Sequence, residues 1–433
     1  MKRLPVVLMA VLAALLLGTL PATAHPGHPG EGKDAPAEEF DPDFPTSSDN
    51  PATSRQPCVG GQAGYFPCDN VNLMAYLPMD EIGGGRGSDV WGWTDPVTER
   101  RYVLAGRDSG TAFVDVTNAT KPVFLADLPN SGTVDVIWRD IKVHDDHAFI
   151  VSESSEHGMQ VLDLTQLRDI DPADAPVTLT ETALYRGFGS AHNIAINEDS
   201  GYAYAVGARA DVEECAGGLH MVDIRRPASP RFAGCAAEDG YTHDTQCVTY
   251  DGPDARFTGR EVCLSSNEDT FTIMDVTDKS DPVMLSRIGY DGAAYTHQGW
   301  LTEDSRHFLM GDELDEYFDG ENTRTLIWDV SDLTAPQLLG KHTHRTAAID
   351  HNMYVRDGLV FQSNYRAGLS ILSTGEADSG KLTEIAYFDT WPMDDKTAFG
   401  HGTWSNYPFF ENGVVAVHGF DGLFLLRPTV GLG

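Results

Sequence analysis

Seven polar side chains recur along the chain at nearly constant spacing, two aspartates followed by five histidines. They are Asp89, Asp140, His192, His243, His297, His351 and His401, and successive positions differ by 51, 52, 51, 54, 54 and 50 residues. Imidazole combined with carboxylate suits zinc, copper or iron better than calcium or magnesium, which prefer oxygen ligands alone. If the seven side chains meet, they could bind a transition metal.

The elements that must position these residues repeat at the same interval. An apolar strand that usually ends in aspartate occurs at residues 112–116, 160–164, 220–224, 272–276 and 326–330, with degenerate copies at 369–372 and 423–426. Repeats of about fifty residues in a chain rich in β-branched residues and turns are typical of β-propellers. Seven copies therefore predict an all-β, seven-bladed β-propeller. Each of the seven polar residues would begin an inner strand and face an open hub.

The last repeat ends close to residue 433, which leaves the last blade without an outer strand. A strand-like segment at residues 72–77 precedes the first blade and belongs to no repeat. Pairing this segment with the last blade would cover both exposed sheet edges. We therefore expect the propeller to be closed by an N-terminal strand.

A second set of polar residues follows the second strand of several blades, on the face where the inner strands begin. We expect four of them to form a rim around the ring: Glu153, Asp312, Glu313 and His418. The alternative is structural, because a polar residue at a strand start can hydrogen-bond loops and fix blade geometry. Five imidazoles around one axis would compete for hydrogen-bond donors and acceptors, which favours metal binding. A single ion would use only some of them.

The cysteines and the N-terminus predict export. Residues 1–24 resemble a secretory signal peptide that is cleaved after Ala24, residues 25–57 an acidic flexible leader, and residues 58–433 the propeller. Exported chains form disulfides. Sequence order favours the nearest-neighbour pairs among fifteen formal pairings: Cys58 with Cys68, Cys215 with Cys235 and Cys247 with Cys263. We expect an extracellular protein with no membrane segment in its mature form.

The repeats resemble a known family. The Asp-ended strands followed by Pro122, Pro230, Pro282 or Pro336, the Val-Trp-Gly-Trp segment at 90–93, and the Ser-Asn, Gly-Asp-Glu and His-Asn signatures are similar to those of choice-of-anchor B proteins with LVIVD repeats. The resemblance covers roughly residues 58–426. It implies an extracellular or surface-attached propeller with little assigned chemistry. Because this sequence has no recognisable sorting or membrane tail, we expect release.

The net charge of −35 repels nucleic acid and anionic lipid. The sequence contains no Ser-His-Asp motif, phosphate loop or dinucleotide fingerprint. Three functions remain open: an exported protein that binds copper, zinc or iron at its hub, a non-enzymatic scaffold that binds an extracellular protein or a glycan, and a copper-dependent oxidase. The last resembles the selenium-binding-protein and methanethiol oxidase propellers, and fold analogy alone does not establish it. The sequence is thus compatible with both an enzyme and a non-enzymatic binding protein.

Overall fold

The computed structural model describes residues 44–47, 50, 53–208 and 215–431. In these ranges 31 strands form seven antiparallel sheets, arranged as the blades of a β-propeller. The predicted fold is confirmed. The predicted signal peptide lies outside the described residues, as does most of the predicted leader.

The strands before and within blades one to three run in chain order. They are β1 (Gln62–Ala63), β2 (Phe66–Asp69), β3 (Val71–Pro78), β4 (Gly87–Thr94), β5 (Arg101–Arg107), β6 (Gly110–Asp115), β7 (Val123–Pro129), β8 (Arg139–His144), β9 (His147–Ser152), β10 (Met159–Asp163), β11 (Val177–Thr178), β12 (Ala183–Tyr185), β13 (Asn193–Asn197), β14 (Tyr202–Val206), β15 (Leu219–Asp223) and β16 (Arg231–Ala236).

Fifteen further strands follow in the chain. They are β17 (Asp244–Thr249), β18 (Glu261–Ser266), β19 (Phe271–Asp275), β20 (Val283–Ile288), β21 (Thr296–Leu301), β22 (His307–Asp312), β23 (Arg324–Asp329), β24 (Gln337–Thr343), β25 (Met353–Arg356), β26 (Leu359–Ser363), β27 (Leu369–Ser373), β28 (Thr383–Phe388), β29 (Thr403–Tyr407), β30 (Val415–Gly419) and β31 (Gly422–Pro428). The described helices are one α-helix and three 3-10 helices: α1 (Asp315–Asp319), Met79–Ile82, Leu164–Asp169 and Ala377–Ser379.

The repeated Asp-ended segments are the third strands of the blades, and their aspartates shape the following turn. Oδ1 of Asp115 accepts a hydrogen bond from the backbone N–H of Thr117, and Asp329 accepts one from Ser331 in the same way. A short carboxylate that bonds the backbone two residues ahead stabilises such a turn. The repeat is therefore visible in sequence because each blade needs this turn.

The N-terminal strand closes the propeller as predicted. β3 pairs antiparallel with β31, so that blade seven has the order β29, β30, β31, β3. The rings of Tyr76 and Phe424 stack across this pairing with centroids 4.1 Å apart. The last blade thus takes its outer strand from the opposite end of the chain, and its edge is covered.

Residues before Cys58 also pack on the propeller. Phe44 is buried against Phe66, Tyr76 and Trp391, and Gln56 forms a backbone bridge with Leu73. Phe44 and Gln56 fall within the predicted flexible leader, because the region around them is polar. Part of this region is anchored to the body of the fold through one aromatic residue.

Three disulfides join nearest neighbours in the sequence. Their pairs are Cys58–Cys68, Cys215–Cys235 and Cys247–Cys263. The third links directly opposed residues of β17 and β18. Disulfides are typical of oxidising, extracellular compartments. Among the described residues, no helix is long and apolar enough to cross a membrane.

Candidate metal centre

Four of the predicted ring histidines form an arc around the hub. The ring centroids of His192 and His243 are 4.4 Å apart, those of His243 and His297 are 4.3 Å apart, and those of His297 and His351 are 4.4 Å apart. Each histidine lies at the start of its inner strand or one or two residues before it. The constant sequence interval therefore corresponds to neighbouring positions in four successive blades.

The strongest metal-ligand geometry lies at one end of this arc. Nε2 of His297 is 3.5 Å from Oε2 of Glu313, and Nε2 of His351 is 3.7 Å from Oε1 of the same carboxylate. One ligand atom from each of the three residues can be chosen so that all lie within 4.8 Å of one another. Glu313 follows β22, which pairs with the inner strand β21, so the predicted rim residue reaches two ring residues.

Hydrogen bonds orient the histidines. Nδ1–H of His351 donates to the carbonyl of Trp404, and Nδ1–H of His243 donates to the carbonyl of His297 at 2.9 Å. A carbonyl oxygen only accepts, so Nδ1 carries the proton in both rings when they are neutral. Nε2 of His351 is then a lone-pair donor, and it faces Glu313. The hydroxyl of Tyr365 donates to Oε1 of Glu313 at 2.9 Å and holds that carboxylate.

The candidate centre is enclosed, contrary to the expectation of an open hub. His297 is 1 % exposed, Glu313 is 0 % exposed and His351 is 3 % exposed. The rings of Tyr365 and Trp404 each lie 4.8 Å from that of His351 and cover it. Burial lowers the pKa of His351 to about 3, so its imidazole is neutral at ordinary pH.

The two ring aspartates belong to a different cluster, with Lys142 as its cation. Nζ of Lys142 lies 2.6 Å from Oδ1 of Asp140 and 3.7 Å from Oδ2 of Asp89. Oδ2 of each aspartate accepts a backbone N–H of the next blade, from Ile141 for Asp89 and from Ile194 for Asp140. These two aspartates therefore tie neighbouring blades together, as the structural alternative expected, and they share one ammonium.

His192 forms a third environment within the ring. Its Nδ1 lies 2.6 Å from Oε1 of Glu153, a predicted rim residue. Burial would lower the pKa of His192, but the hydrogen bond to Glu153 and the charges of Glu153, Asp244 and Asp140 together raise it. A protonated imidazole is not a metal ligand. His192 is therefore better suited to an ion pair with Glu153 than to a metal.

The structure does not place His401 in the arc. Its imidazole stacks on Trp391 with ring centroids 3.7 Å apart, and its Nδ1 lies 3.0 Å from Oδ1 of Asp421. Gly400 and Gly402 flank it, both with positive φ, so the chain turns just before the inner strand. The regular spacing of His401 in sequence does not reveal this turn or the position of Trp391.

The remaining predicted rim residues bind backbone groups. Asp312 accepts the backbone N–H groups of Ala294 and Tyr295 and the hydroxyl of Tyr290. The two ring nitrogens of His418 lie 3.0 Å from the carbonyl of Gly422 and 2.9 Å from that of Gly106, which links the last blade to the first. Burial lowers the pKa of His418 to about 4. Both residues are structural in this arrangement.

Lys142 and the aromatic cover formed by Tyr365 and Trp404 were not predicted from the sequence. Lys142 could have been found, because residues two apart on a strand point to the same face, and Asp140 precedes it by two. Tyr365 lies within a polar stretch that follows a second strand, but nothing in its position marks it as the partner of Glu313. Trp404 contributes its carbonyl and its ring, neither of which spacing reveals.

Beyond the ring, the inner strands surround a cavity of about 610 Å³. Trp91, Trp300 and Tyr354 supply aromatic surface, while Asp244 and Gln298 supply polar groups. Burial and the charge of Asp140 raise the pKa of Asp244 to about 7. The open space of the propeller axis therefore lies next to the ring and not within it.

Comparisons with known proteins assign no family to the chain. No protein-family model matches the chain, and no curated protein matches it. The solved structure of the computationally designed Ika8 protein is similar to this chain with a TM-score of 0.48 and 9% sequence identity, over 87% of this chain and 96% of that one. A likeness of this size carries no argument about function.

Proposed function

We propose that this protein is an extracellular β-propeller that binds a transition metal at the hub, between blades five and six. The ligands are Nε2 of His297, Nε2 of His351 and the carboxylate of Glu313. The observation that carries the proposal is the convergence of these three buried donors within 4.8 Å of one another. The donor set of two imidazoles and one carboxylate suits zinc, copper or iron.

The distances between donors support the fit. Zinc bonds of about 2.0–2.1 Å in tetrahedral geometry separate two donor atoms by about 3.4 Å. Each imidazole nitrogen lies 3.5 Å or 3.7 Å from an oxygen of Glu313. Both distances are close to this separation, and each runs to a different oxygen of the carboxylate.

The surrounding hydrogen bonds also support metal binding. Histidines that ligate metals usually donate their other ring N–H to a carbonyl or carboxylate, which fixes the ring and its tautomer. His351 does this through the carbonyl of Trp404, and Tyr365 holds Glu313.

The enclosure favours a resident ion over a copper-dependent oxidase. A catalytic metal keeps a coordination position open to substrate, whereas all three ligands here are at most 3 % exposed. The ion would cross-link blades five and six, because His297 lies in the inner strand β21 and His351 lies just before the inner strand β25.

Metal analysis of the purified protein tests the proposal. Full-length protein secreted by its host and purified without chelator should contain about one zinc, copper or iron per chain by inductively coupled plasma mass spectrometry. The His297→Ala/His351→Ala double variant should lose that metal, because it removes both nitrogen donors. A double variant that folds and retains the metal would place the ion elsewhere.

A matched control separates this loss from a general effect of removing histidine. His147→Gln alters a histidine at the start of β9, whose Nδ1 bonds the carbonyl of Asp145 away from the ring. This variant should retain the metal at the wild-type level. If wild-type protein holds no metal even after reconstitution with each ion, the ring histidines are structural.

The location and family are part of the same proposal. Three disulfides in the described region and the acidic composition support an extracellular protein. The LVIVD-type repeats are the basis for placing the chain with choice-of-anchor B propellers. N-terminal sequencing of secreted protein should begin at His25 if the predicted signal peptide is cleaved after Ala24.

The axial cavity supports a second candidate function, the binding of an extracellular glycan. Aromatic faces such as those of Trp91 and Trp300 pack on sugar rings, while Asn197, Gln246 and Gln298 can hydrogen-bond hydroxyl groups. A glycan array probed with wild-type protein and with Trp300→Ala tests this function. Binding that is lost in the variant would favour it, and the absence of any wild-type binding would argue against it.

A further inference from the structure

A second group of acidic residues lies beside the candidate metal centre and is separate from it. One carboxylate oxygen from each of Asp315, Glu316 and Asp350 can be chosen so that all three lie within 4.8 Å of one another. Asp315 and Glu316 begin the helix α1, which follows β22, and Asp350 precedes the inner strand β25. The three side chains are 0 %, 2 % and 0 % exposed.

Most oxygens of this cluster are buried away from hydrogen-bond donors of other residues. Among the residues that the structure describes, no donor outside the cluster reaches either carboxylate oxygen of Glu316, either oxygen of Asp350 or Oδ1 of Asp315. Burying a carboxylate in this way is strongly unfavourable unless a proton or a cation compensates it. The three carboxyl groups therefore require a compensating proton or cation.

Only one protein cation reaches the cluster in the described region. Nε–H of Arg324 donates to Oδ2 of Asp315 at 2.7 Å, and Nη2 of Arg324 lies 2.6 Å from the same oxygen. One guanidinium against three carboxylates leaves two negative charges when all are ionised. A divalent cation would balance that remainder.

The backbone leaves room for this arrangement. A Cβ at Gly311 would overlap Oδ2 of Asp350, so glycine at this position lets the carboxylate lie against β22. The neighbouring Asp312 is different, because backbone N–H groups and Tyr290 already satisfy it. Unlike Asp312, Asp350 and Glu316 therefore have carboxylate oxygens that are available to a cation.

We propose that Asp315, Glu316 and Asp350 bind a divalent cation that prefers oxygen ligands, with Ca²⁺ as the ion that fits. Calcium takes carboxylate and carbonyl oxygens in flexible geometry and accepts bidentate carboxylates. The three residues offer oxygen alone, which distinguishes this site from the nitrogen-containing centre at His297 and His351. The exposed Tyr317 and Phe318 follow Glu316 directly, so the site lies just beneath the surface.

Calcium titration of the full-length protein tests this site. After EDTA treatment and removal of the chelator, isothermal titration calorimetry with CaCl₂ should give about one site per chain with a Kd of about 1 mM or tighter. Addition of about 5 mM CaCl₂ should raise the Tm by about 1 °C at a Kd of about 1 mM, and by more if binding is tighter. Neither response requires zinc, copper or iron, so the result is independent of the proposed function.

Isosteric variants assign the response to the cluster. Glu316→Gln and Asp350→Asn should each lose the calcium-dependent rise in Tm. The control Glu261→Gln alters a buried carboxylate that Lys279, Tyr204 and Asn197 already satisfy, and it should keep the full rise. If a cluster variant does not fold, Tb³⁺ luminescence on wild-type protein and its displacement by Ca²⁺ provide the second measurement.

The competing explanation is protonation of the carboxyl groups. If wild-type protein shows no calcium heat, no change in Tm and no Tb³⁺ luminescence, and Glu316→Gln raises the Tm in EDTA, protons neutralise the cluster and the proposal is overturned. Loss of the response in Glu261→Gln as well as in the cluster variants would also overturn it, because the effect would not be local.

Discussion

Replacing Lys142 with methionine should destabilise the hub, and the effect should depend strongly on pH. Nζ of Lys142 lies 2.6 Å from Oδ1 of Asp140, and their side chains are 12% and 5% exposed. Burial and the neighbouring Asp140 raise the pKa of Asp89 well above its ordinary value, against the opposing charge of Lys142. Asp140 therefore carries the negative charge that Lys142 principally balances. Lys142→Met keeps an apolar stem of similar length and removes the ammonium, which also lies 4.7 Å from the centroid of the Trp91 ring.

The magnitude follows from the two states open to Asp140 in the variant. An unpaired buried carboxylate costs about 3–5 kcal/mol. Protonating the carboxylate removes this penalty. For a carboxyl of ordinary pKa, protonation itself costs about 4 kcal/mol at pH 7 and about 1.5 kcal/mol at pH 5. We expect Lys142→Met to lower the free energy of unfolding by about 3–4 kcal/mol at pH 7. At pH 5 the loss should be about 1.5 kcal/mol.

The sign follows from proton linkage. In the variant, burial of the unpaired Asp140 carboxylate favours its neutral form in the folded state, so the folded protein takes up more protons than the unfolded chain. The stability of the variant relative to wild type therefore falls as the pH rises from 5 to 7.

Urea unfolding followed by tryptophan fluorescence measures the effect at pH 7 and pH 5. The double variant Lys142→Met/Asp140→Asn should recover most of the loss at pH 7, because no unpaired charge remains. Lys396→Met removes an exposed partner of Asp394 and should change the free energy of unfolding by less than about 1 kcal/mol. A loss below about 1 kcal/mol in Lys142→Met, or an equal loss at both pH values, would refute the reasoning.

Three further perturbations test the fold. Deleting residues 58–77 removes most of β3 and exposes the edge of β31, so size-exclusion chromatography should show aggregation in place of a monodisperse peak. Burial lowers the pKa of His344 to about 3, so the folded state favours the neutral imidazole and loses stability as the pH falls below about 6.5. His344→Gln should reduce the slope of the unfolding free energy against pH on the acid side by up to about 1.4 kcal/mol per pH unit. Cys247→Ser with Cys263→Ser should lower the free energy of unfolding by about 3 kcal/mol in urea titrations.

The repeat period was sufficient to predict the blades because each blade places the same residue types at the same structural positions. The Asp-ended third strands and the closing strand at residues 72–77 are examples, since both follow from local pattern and unpaired edges. Side-chain partners that come from loops were not predictable in this way. His401 keeps the spacing of the ring, yet it stacks on Trp391, which lies between β28 and β29 and in no repeat.

The ring also shows why spacing does not identify chemistry. Asp89, Asp140 and His243 are related by the blade interval, and each bonds a backbone group of the next blade. Equivalent positions thus share a structural task, whether the side chain accepts the hydrogen bond, as the aspartates do, or donates it, as His243 does. What distinguishes His297 and His351 is Glu313, a residue from a different strand end, and only the three-dimensional arrangement brings that carboxylate between them.

The two proposed ion sites should influence each other because they share two short segments. Glu313 of one site is two residues before Asp315 of the other, and His351 directly follows Asp350. An ion bound to Asp315 and Asp350 would restrain both segments. Glu313 and His351 would then lose less conformational entropy when they bind the second ion. Binding free energies of linked sites are coupled reciprocally. If both sites exist, calcium should increase the affinity for zinc by the same factor by which zinc increases the affinity for calcium. Titrations of each ion in the presence and absence of the other measure these two factors, and unequal factors would mean that binding is not at equilibrium or not confined to these sites.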